Sequence, residues 1–330
     1  MAAPRVFVGL DVGGTTMKAA AVGDDGKPLS KHVVLETLPE RGQDAGLETM
    51  CETIRQAVAT AKLTMNDVTA IGVATPGLMD IPGGLILEPP NLKPWRNVPV
   101  RDHIAGVFKL PVAFQNDANA ATYGEYWVGA GRGMTSVAMF TLGTGVGGGI
   151  IVDDRIIEGH SSHGGEMGHL RIDLPDKGRL CGCGRRGCLE AYASATSIVA
   201  RAREAMASAR EPSLLREKLR DDDGPALTAR EVFDVAMAGD ALAVQVIDDT
   251  AYFLALGITA TIAVVDPQMV IVGGGVSAAG ESFIVKVREY VSRFGLSYPV
   301  SRVTIRVAEL GSDAGFIGAA GCARQLVDRS

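Results

Sequence analysis

The sequence predicts an α/β protein whose sheets carry helices on both faces, and three observations predict it. Apolar strands such as VFVGL, AIGVA, PVAF and MVIVG alternate with longer helical patterns along the chain. A strand, a Gly/Thr turn and a returning strand occur at RVFVGLDVGGTTMKAAAVG and again at TSVAMFTLGTGVGGGIIVDD. Setting Asp11 against Thr141, 130 positions later, places Gly13 on Gly143, so the two segments read as copies of one device.

Between the copies the pattern predicts a helix over about 43–62, a buried strand at 70–74 and a Pro/Gly-rich region from Pro76 to Pro99. A helix over 101–109 and the strand PVAF follow. Helical patterns then cover 189–207, 241–264, 281–294 and 313–327, with strands at 269–273 and 302–308. The charged stretch Arg210 to Asp223 reads as a solvated loop or loose helix. The longest apolar run, Ala251 to Val265, is flanked by Asp248-Asp249 and Asp266-Pro267 and is too short for a membrane span, so a buried core helix is expected.

At 330 residues, 47% hydrophobic and 21% charged, the chain has room for two globular domains. A net charge of −6 and the lack of a basic stripe argue against nucleic acid as a partner. MAAPRVFVGLD shows no secretory leader pattern. With five cysteines, an odd count, a reducing, cytoplasmic setting is expected.

The glycine turns carry the first chemistry. DVGGTT offers backbone N–H groups free of side chains, with threonine hydroxyls beside them, which suits phosphate oxygens. One such turn is an ordinary hairpin, but two facing loops would clamp a phosphate chain from both sides, as an ATP site needs. Neither turn is a Walker loop or a Rossmann fingerprint. Asp11 ends the first strand, where a carboxylate would hold Mg²⁺ through water. A third cluster, VGGGVS at 272–277, would let adenine and ribose lie against Gly273, Gly274 and Gly275. In FQNDANAATYGEYW, Asn116 and Asp117 join a strand to a helix; both are good N-cap types, and a carboxylate there would also serve as a base toward an attacking hydroxyl.

CGCGRRGC holds three of the five cysteines, Cys181, Cys183 and Cys188, and His169 lies twelve positions upstream of the first. The spacing is not the C-x-x-C of a redox pair, and one imidazole with three thiolates would close a tetrahedral structural zinc shell. His160 and His163 also fit as the fourth ligand on spacing. Such an ion would pin the loop bearing Glu166, His169 and Glu190, although Glu190 is equally suited to a helix's first turn.

Together GLDVGGTTMKAAAV, GVATPGLMD, PPNLKPWRNVP, FQNDANAATYGEYWVGAG, TLGTGVGGGI, GGEMGH, CGCGRRGCLEAYAS and IVGGGVS resemble the ROK family of sugar kinases, and within it the bacterial glucokinases. The resemblance implies an actin-like ATPase (ribonuclease H-like) fold of two α/β domains with an interdomain cleft. The smaller would cover 1–115 plus about 313–330, and the larger 116–312 with a zinc-binding loop. It implies ATP-dependent phosphorylation of D-glucose at the 6-hydroxyl, with Asp117 as general base. Gly77, Asn91, Asn116, Glu166, His169 and Glu190 would join Asp117 on the sugar side. Asp11, Gly13, Gly14, Thr15, Thr16, Lys18, Thr144 and Gly145 would serve the nucleotide. His169, Cys181, Cys183 and Cys188 would hold structural Zn²⁺, and the enzyme would be a homo-oligomer, a dimer or tetramer. Kinases of N-acetylmannosamine, N-acetylglucosamine, mannose or fructose are the neighbouring expectation, with polyphosphate an alternative donor. The family's repressors carry a helix-turn-helix ahead of the first strand, for which a strand beginning near Arg5 leaves no space. Intact Asp11, Asn116 and Asp117 argue against a sugar-binding protein without catalysis.

Overall fold

A computed structural model describes residues 5–89, 91–218, 227–275 and 280–329. Pro90, the end of the charged stretch at 219–223, and Val276-Ser277 of the third glycine cluster lie outside the described residues. The chain divides into two compact units: Met1–Met134 with Gly149–Gly165 and Glu309–Ser330, and Thr135–Gly148 with Glu166–Ala308.

In unit 1, β1 (Val6–Val12) and β2 (Thr16–Gly23) form an antiparallel hairpin, and β3 (Val33–Glu36) extends it. Strand β4 (Ala70–Thr75) pairs parallel with β1; β5 (Leu78–Asp80) and β6 (Leu85–Glu88) form a small hairpin; β7 (Val112–Asn116) pairs parallel with β4. The main sheet is ordered β3-β2-β1-β4-β7. Alternation along β1 gives each face its own core. Val8, Leu10 and Val12 point toward α1 (Gln43–Thr60) and α2 (Val100–Phe108), while Phe7 joins Phe316, Ile317 and Ala320 of the last helix, Ala314–Asp328. That helix lies directly on the strand backbones. Gly9 and Gly72 are register partners, and a Cβ on either would come within 1.8 Å of a helix carbonyl oxygen, that of Phe316 or Ala319. Helix α3 (Asp117–Val128) packs beside it.

The second sheet repeats the plan. It is ordered β10-β9-β8-β11-β12, from β8 (Val137–Leu142), β9 (Val146–Val152), β10 (Arg155–Ile156), β11 (Met269–Gly273) and β12 (Thr304–Val307). Like β1, β8 sits between a partner returning from a Gly/Thr turn and a parallel strand, here β11. The duplication seen in the sequence is thus a duplication of topology.

Unit 2 carries α4 (Glu190–Ala193), α5 (Ala195–Ser208), α6 (Leu214–Lys218), α7 (Ala229–Met237), α8 (Ala241–Val265), α9 (Glu281–Phe294) and α10 (Ser297–Arg302); the last helix of the chain is α11. The helix expected over 189–207 is interrupted at Ser194, whose side chain accepts from Ser197 N–H and starts α5 afresh. The strand expected from 302 begins at Thr304, because α10 runs to Arg302. Helix α8, at 25 residues and hydropathy 1.4, is long and apolar enough by length and composition to cross a membrane. It buries Val246, Leu254, Ile258 and Ile262 and packs against α4, α5, α7 and α9, the arrangement of a core helix.

Candidate active site and metal cluster

In unit 1 the first glycine turn is closed by the Gly13 N–H donating to Thr16 O at 2.8 Å and held from outside by Thr37, whose hydroxyl donates to Gly13 O at 2.7 Å. Thr15, at the tip, is exposed. Asn91, expected on the sugar side, lies against this turn: its carbonyl oxygen is 3.1 Å from where a Gly14 Cβ would stand. Leu92 and Trp95 anchor its loop in the core, and the indole N–H donates to Pro39 O at 3.1 Å. Gly77 sits between β4 and β5 at φ 91°, a conformation that favours glycine.

Asp11 is the register partner of Lys18 across the hairpin and lies against Gly315 in the first turn of α11. Burial pushes its carboxyl up from 3.8 to about 6, and the Lys18 ammonium offsets only part of this. A carboxylate so placed fits a divalent cation, whose charge would restore its ionisation. Because the neutral form is favoured in the fold, the strain is absent below about pH 4 and builds as pH rises through 6. Asp11→Asn is therefore expected to stabilise the ligand-free protein by about 3 kcal/mol at pH 8, and hardly at all at pH 4. Urea unfolding at the two pH values reads the difference, and an equal effect at both would contradict the burial account.

At the β7–α3 junction, Asn116 is the N-cap: its Oδ1 accepts from Ala118 N–H at 2.9 Å and Asn119 N–H at 3.1 Å. Asp117 occupies the first helical position, and its Oδ1 accepts from Ala118 N–H at 2.8 Å. Capping thus falls to Asn116 and leaves Asp117 on the helix's positive end. Thr75 Oγ1 and Asn119 Oδ1, both buried here, have no hydrogen-bond partner among the described residues, a feature that collects at functional sites. Gln115 and Glu158, to which the motifs above assign no role, bond to each other through their side chains at 2.8 Å beside this junction. The available signal was a polar residue inside the apolar strand VAFQN.

In unit 2 the second turn carries the exposed Thr144, whose carbonyl accepts from Thr196 Oγ1 at 2.9 Å. Gly145, expected at the nucleotide, is where Glu190 comes in: a Cβ there would stand 2.3 Å from Glu190 Oε2. The same oxygen accepts from Val146 N–H at 3.0 Å, and Oε1 faces Cys181 Sγ at 3.2 Å. Glu190 opens α4, which is braced by the buried Arg201 guanidinium donating to Tyr192 O at 2.7 Å and Val246 O at 2.7 Å. Gly273 ends β11; Gly274 has φ 87°, and Gly275 faces open space.

His169, Cys181, Cys183 and Cys188 offer ligand atoms that all lie within 4.8 Å of one another. Cys183 Sγ is 3.8 Å from Cys188 Sγ, and Cys181 Sγ is 3.8 Å from His169 Nδ1. A tetrahedron with metal–sulfur bonds of about 2.3 Å has edges of about 3.8 Å, so the donor set and its spacing fit a metal ion. His160 and His163 are outside this group, and His163 Nδ1 is engaged with Ser161 O. The thiols differ in their ease of ionisation. Burial raises Cys181 and Cys188, whereas the Arg185 N–H and the neighbouring thiols outweigh desolvation and lower Cys183. Glu166 is exposed and precedes the tight turn Met167–His169, its carbonyl accepting from His169 N–H at 3.0 Å.

The ROK family model matches residues 7–326. The chain belongs to the ROK family. This ROK chain is 36% identical over 317 residues to a glucokinase of Halalkalibacterium halodurans, covering 95% of its own length and 93% of that protein. Its fold is the actin-like ATPase fold of ROK structures. It matches a ROK hexokinase from Thermus thermophilus at TM-score 0.83 and 32% identity, over 98% and 100% of the two chains. It matches a ROK glucokinase from Streptomyces griseus, in complex with glucose and AMPPNP, at TM-score 0.79 and 34% identity, over 97% and 99%.

Proposed function

We propose that this ROK protein is a cytoplasmic, ATP-dependent glucokinase that transfers the γ-phosphoryl group of ATP to the 6-hydroxyl of D-glucose. The observation that carries the reading is Asp117 at the first position of α3, with Asn116 taking over the cap. In the reaction the Asp117 carboxylate accepts the 6-hydroxyl proton as the oxygen forms its bond to the γ-phosphorus and ADP leaves. Asn116, Glu166, His169 and Glu190 hold the remaining hydroxyls and fix which one meets the phosphate. The Gly14 backbone N–H, the hydroxyls of Thr15, Thr16 and Thr144, and Lys18 bind the phosphates, with Gly13 closing the turn that presents them. Asp11 would hold Mg²⁺, which neutralises charge on the phosphate oxygens when bound. The His169–Cys181–Cys183–Cys188 group would hold structural Zn²⁺ through a closed shell, and the protein would act as a homo-oligomer.

A panel of D-glucose, mannose, fructose, N-acetylmannosamine and N-acetylglucosamine at saturating ATP tests the reading, with polyphosphate replacing ATP in a parallel series. The highest kcat/KM is expected for glucose with ATP. A preference for an acetylated sugar would reassign the substrate, and one for polyphosphate the donor.

A further inference from the structure

Gln115 is 3% exposed in an otherwise apolar strand end, and both halves of its amide are used. Its Oε1 accepts from Asn116 N–H at 2.9 Å and from Asn119 Nδ2 at 3.2 Å; its Nε2 donates to Glu158 Oε1 at 2.8 Å. An amide carries acceptor and donor on opposite arms, so its surroundings dictate which way it lies. Two N–H donors on one side demand the oxygen, and the Glu158 carboxylate on the other demands the nitrogen. Asn119 N–H in turn donates to Asn116 Oδ1 at 3.1 Å, closing a ring of contacts through Gln115, Asn116 and Asn119. Asp117 lies within the stretch of chain that this ring spans.

Glu158 is itself held in place. Its carbonyl accepts from Gly164 N–H at 2.7 Å, and the adjoining Ile157 N–H donates to Ile150 O at 2.8 Å. Further along the same segment, the Ser162 hydroxyl accepts from Ile81 N–H at 2.9 Å. A carboxylate carried on a backbone fixed in this way selects the amide orientation that fixes the β7–α3 turn.

We propose that Gln115 is a positioning residue for Asp117, and that Glu158 keeps Gln115 in the orientation that performs this task. The inference rests on Asp117 being the general base. Gln115→Glu would set two carboxylates against each other at hydrogen-bonding distance, and kcat is expected to fall at least about tenfold with the KM for ATP within about twofold of the parent. Combining it with Glu158→Gln re-forms the pair with roles exchanged: the new carboxylate still accepts both N–H donors, and the new amide donates to it. The double variant should recover kcat to within about threefold of the parent. A Gln115→Glu protein with parental kcat, or a double variant no better than the single one, would overturn the proposal. Should Gln115→Glu not fold, Glu158→Leu replaces it: a kcat loss of about fivefold at unchanged KM for ATP supports the role, and parental kcat overturns it. Asp117→Ala separates the two levels of the claim. Retained turnover there removes the base itself, whereas an inactive Asp117→Ala beside a fully active Gln115→Glu removes Gln115 alone.

Discussion

Asp117→Ala is expected to lower kcat by about a thousandfold, or about 4 kcal/mol of transition-state stabilisation, while glucose still binds. The change removes the proton acceptor but little of the scaffold. Asn116 Oδ1 continues to accept from Ala118 and Asn119, so the first turn of α3 keeps its cap. The substitution also removes the bond from Ala118 N–H to Asp117 Oδ1 at 2.8 Å, a donor that Asn116 Oδ1 still accepts from at 2.9 Å. Asp117→Asn retains an oxygen there and isolates the chemistry further, since an amide accepts no proton at neutral pH. Glucose titration by calorimetry beside a coupled assay of ADP release reads both quantities. Turnover of either variant within tenfold of the parent would remove Asp117 as the base.

Cys188→Ser should raise the KM for glucose at least about tenfold and leave that for ATP within about twofold, with the metal content per chain falling to near zero. Cys188 is 1% exposed, and its neighbour Leu189 donates its N–H to Leu170 O at 2.9 Å, so the ligand cluster and the Glu166–His169 stretch share one small framework. Glu190 follows Leu189 directly in the chain and is carried by the same framework. Without a bound ion the variant would keep only two thiols, Cys181 and Cys183, beside His169, and the residues assigned to the sugar would move with them. The first glycine turn has its own supports in Thr37 and the β1–β2 register, neither of which involves these residues. Stripping the metal with a chelator should reproduce the variant. An equal rise in both KM values would mean that the ion supports the whole fold and not the sugar residues.

Much of this molecule is legible in its sequence because its signals are local. A strand that ends in Gly-Gly-Thr-Thr announces its own hairpin, and the spacing of Asp11 and Thr141 reveals the repeat that both sheets then follow. The cysteines cluster within eight residues, so their gathering in space follows from their gathering in the chain. Spacing did not choose among His160, His163 and His169; the fold brings His169 alone of these to the thiols. What was not legible depends on distant partners. Gln115 and Glu158 are 43 positions apart, and nothing periodic links them. The small β5–β6 hairpin was hidden inside a Pro/Gly-rich stretch that read only as irregular. Gly145 matched a phosphate turn, yet the same absence of a side chain admits Glu190, which a turn pattern does not distinguish.

Helix α11 packs on one face of the first sheet, against β1, β2, β4 and β7, yet it is encoded by the final part of the chain. During synthesis, Phe7, Ala20 and Ala70 therefore emerge from the ribosome long before Phe316 and Ile317 exist to cover them. Until then that side of the first sheet has the partial cover of Trp127 and Val128 from α3, while unit 2, complete at Ala308, has all its own residues in hand. The native packing of the N-terminal sheet is therefore complete only once the last helix has been translated.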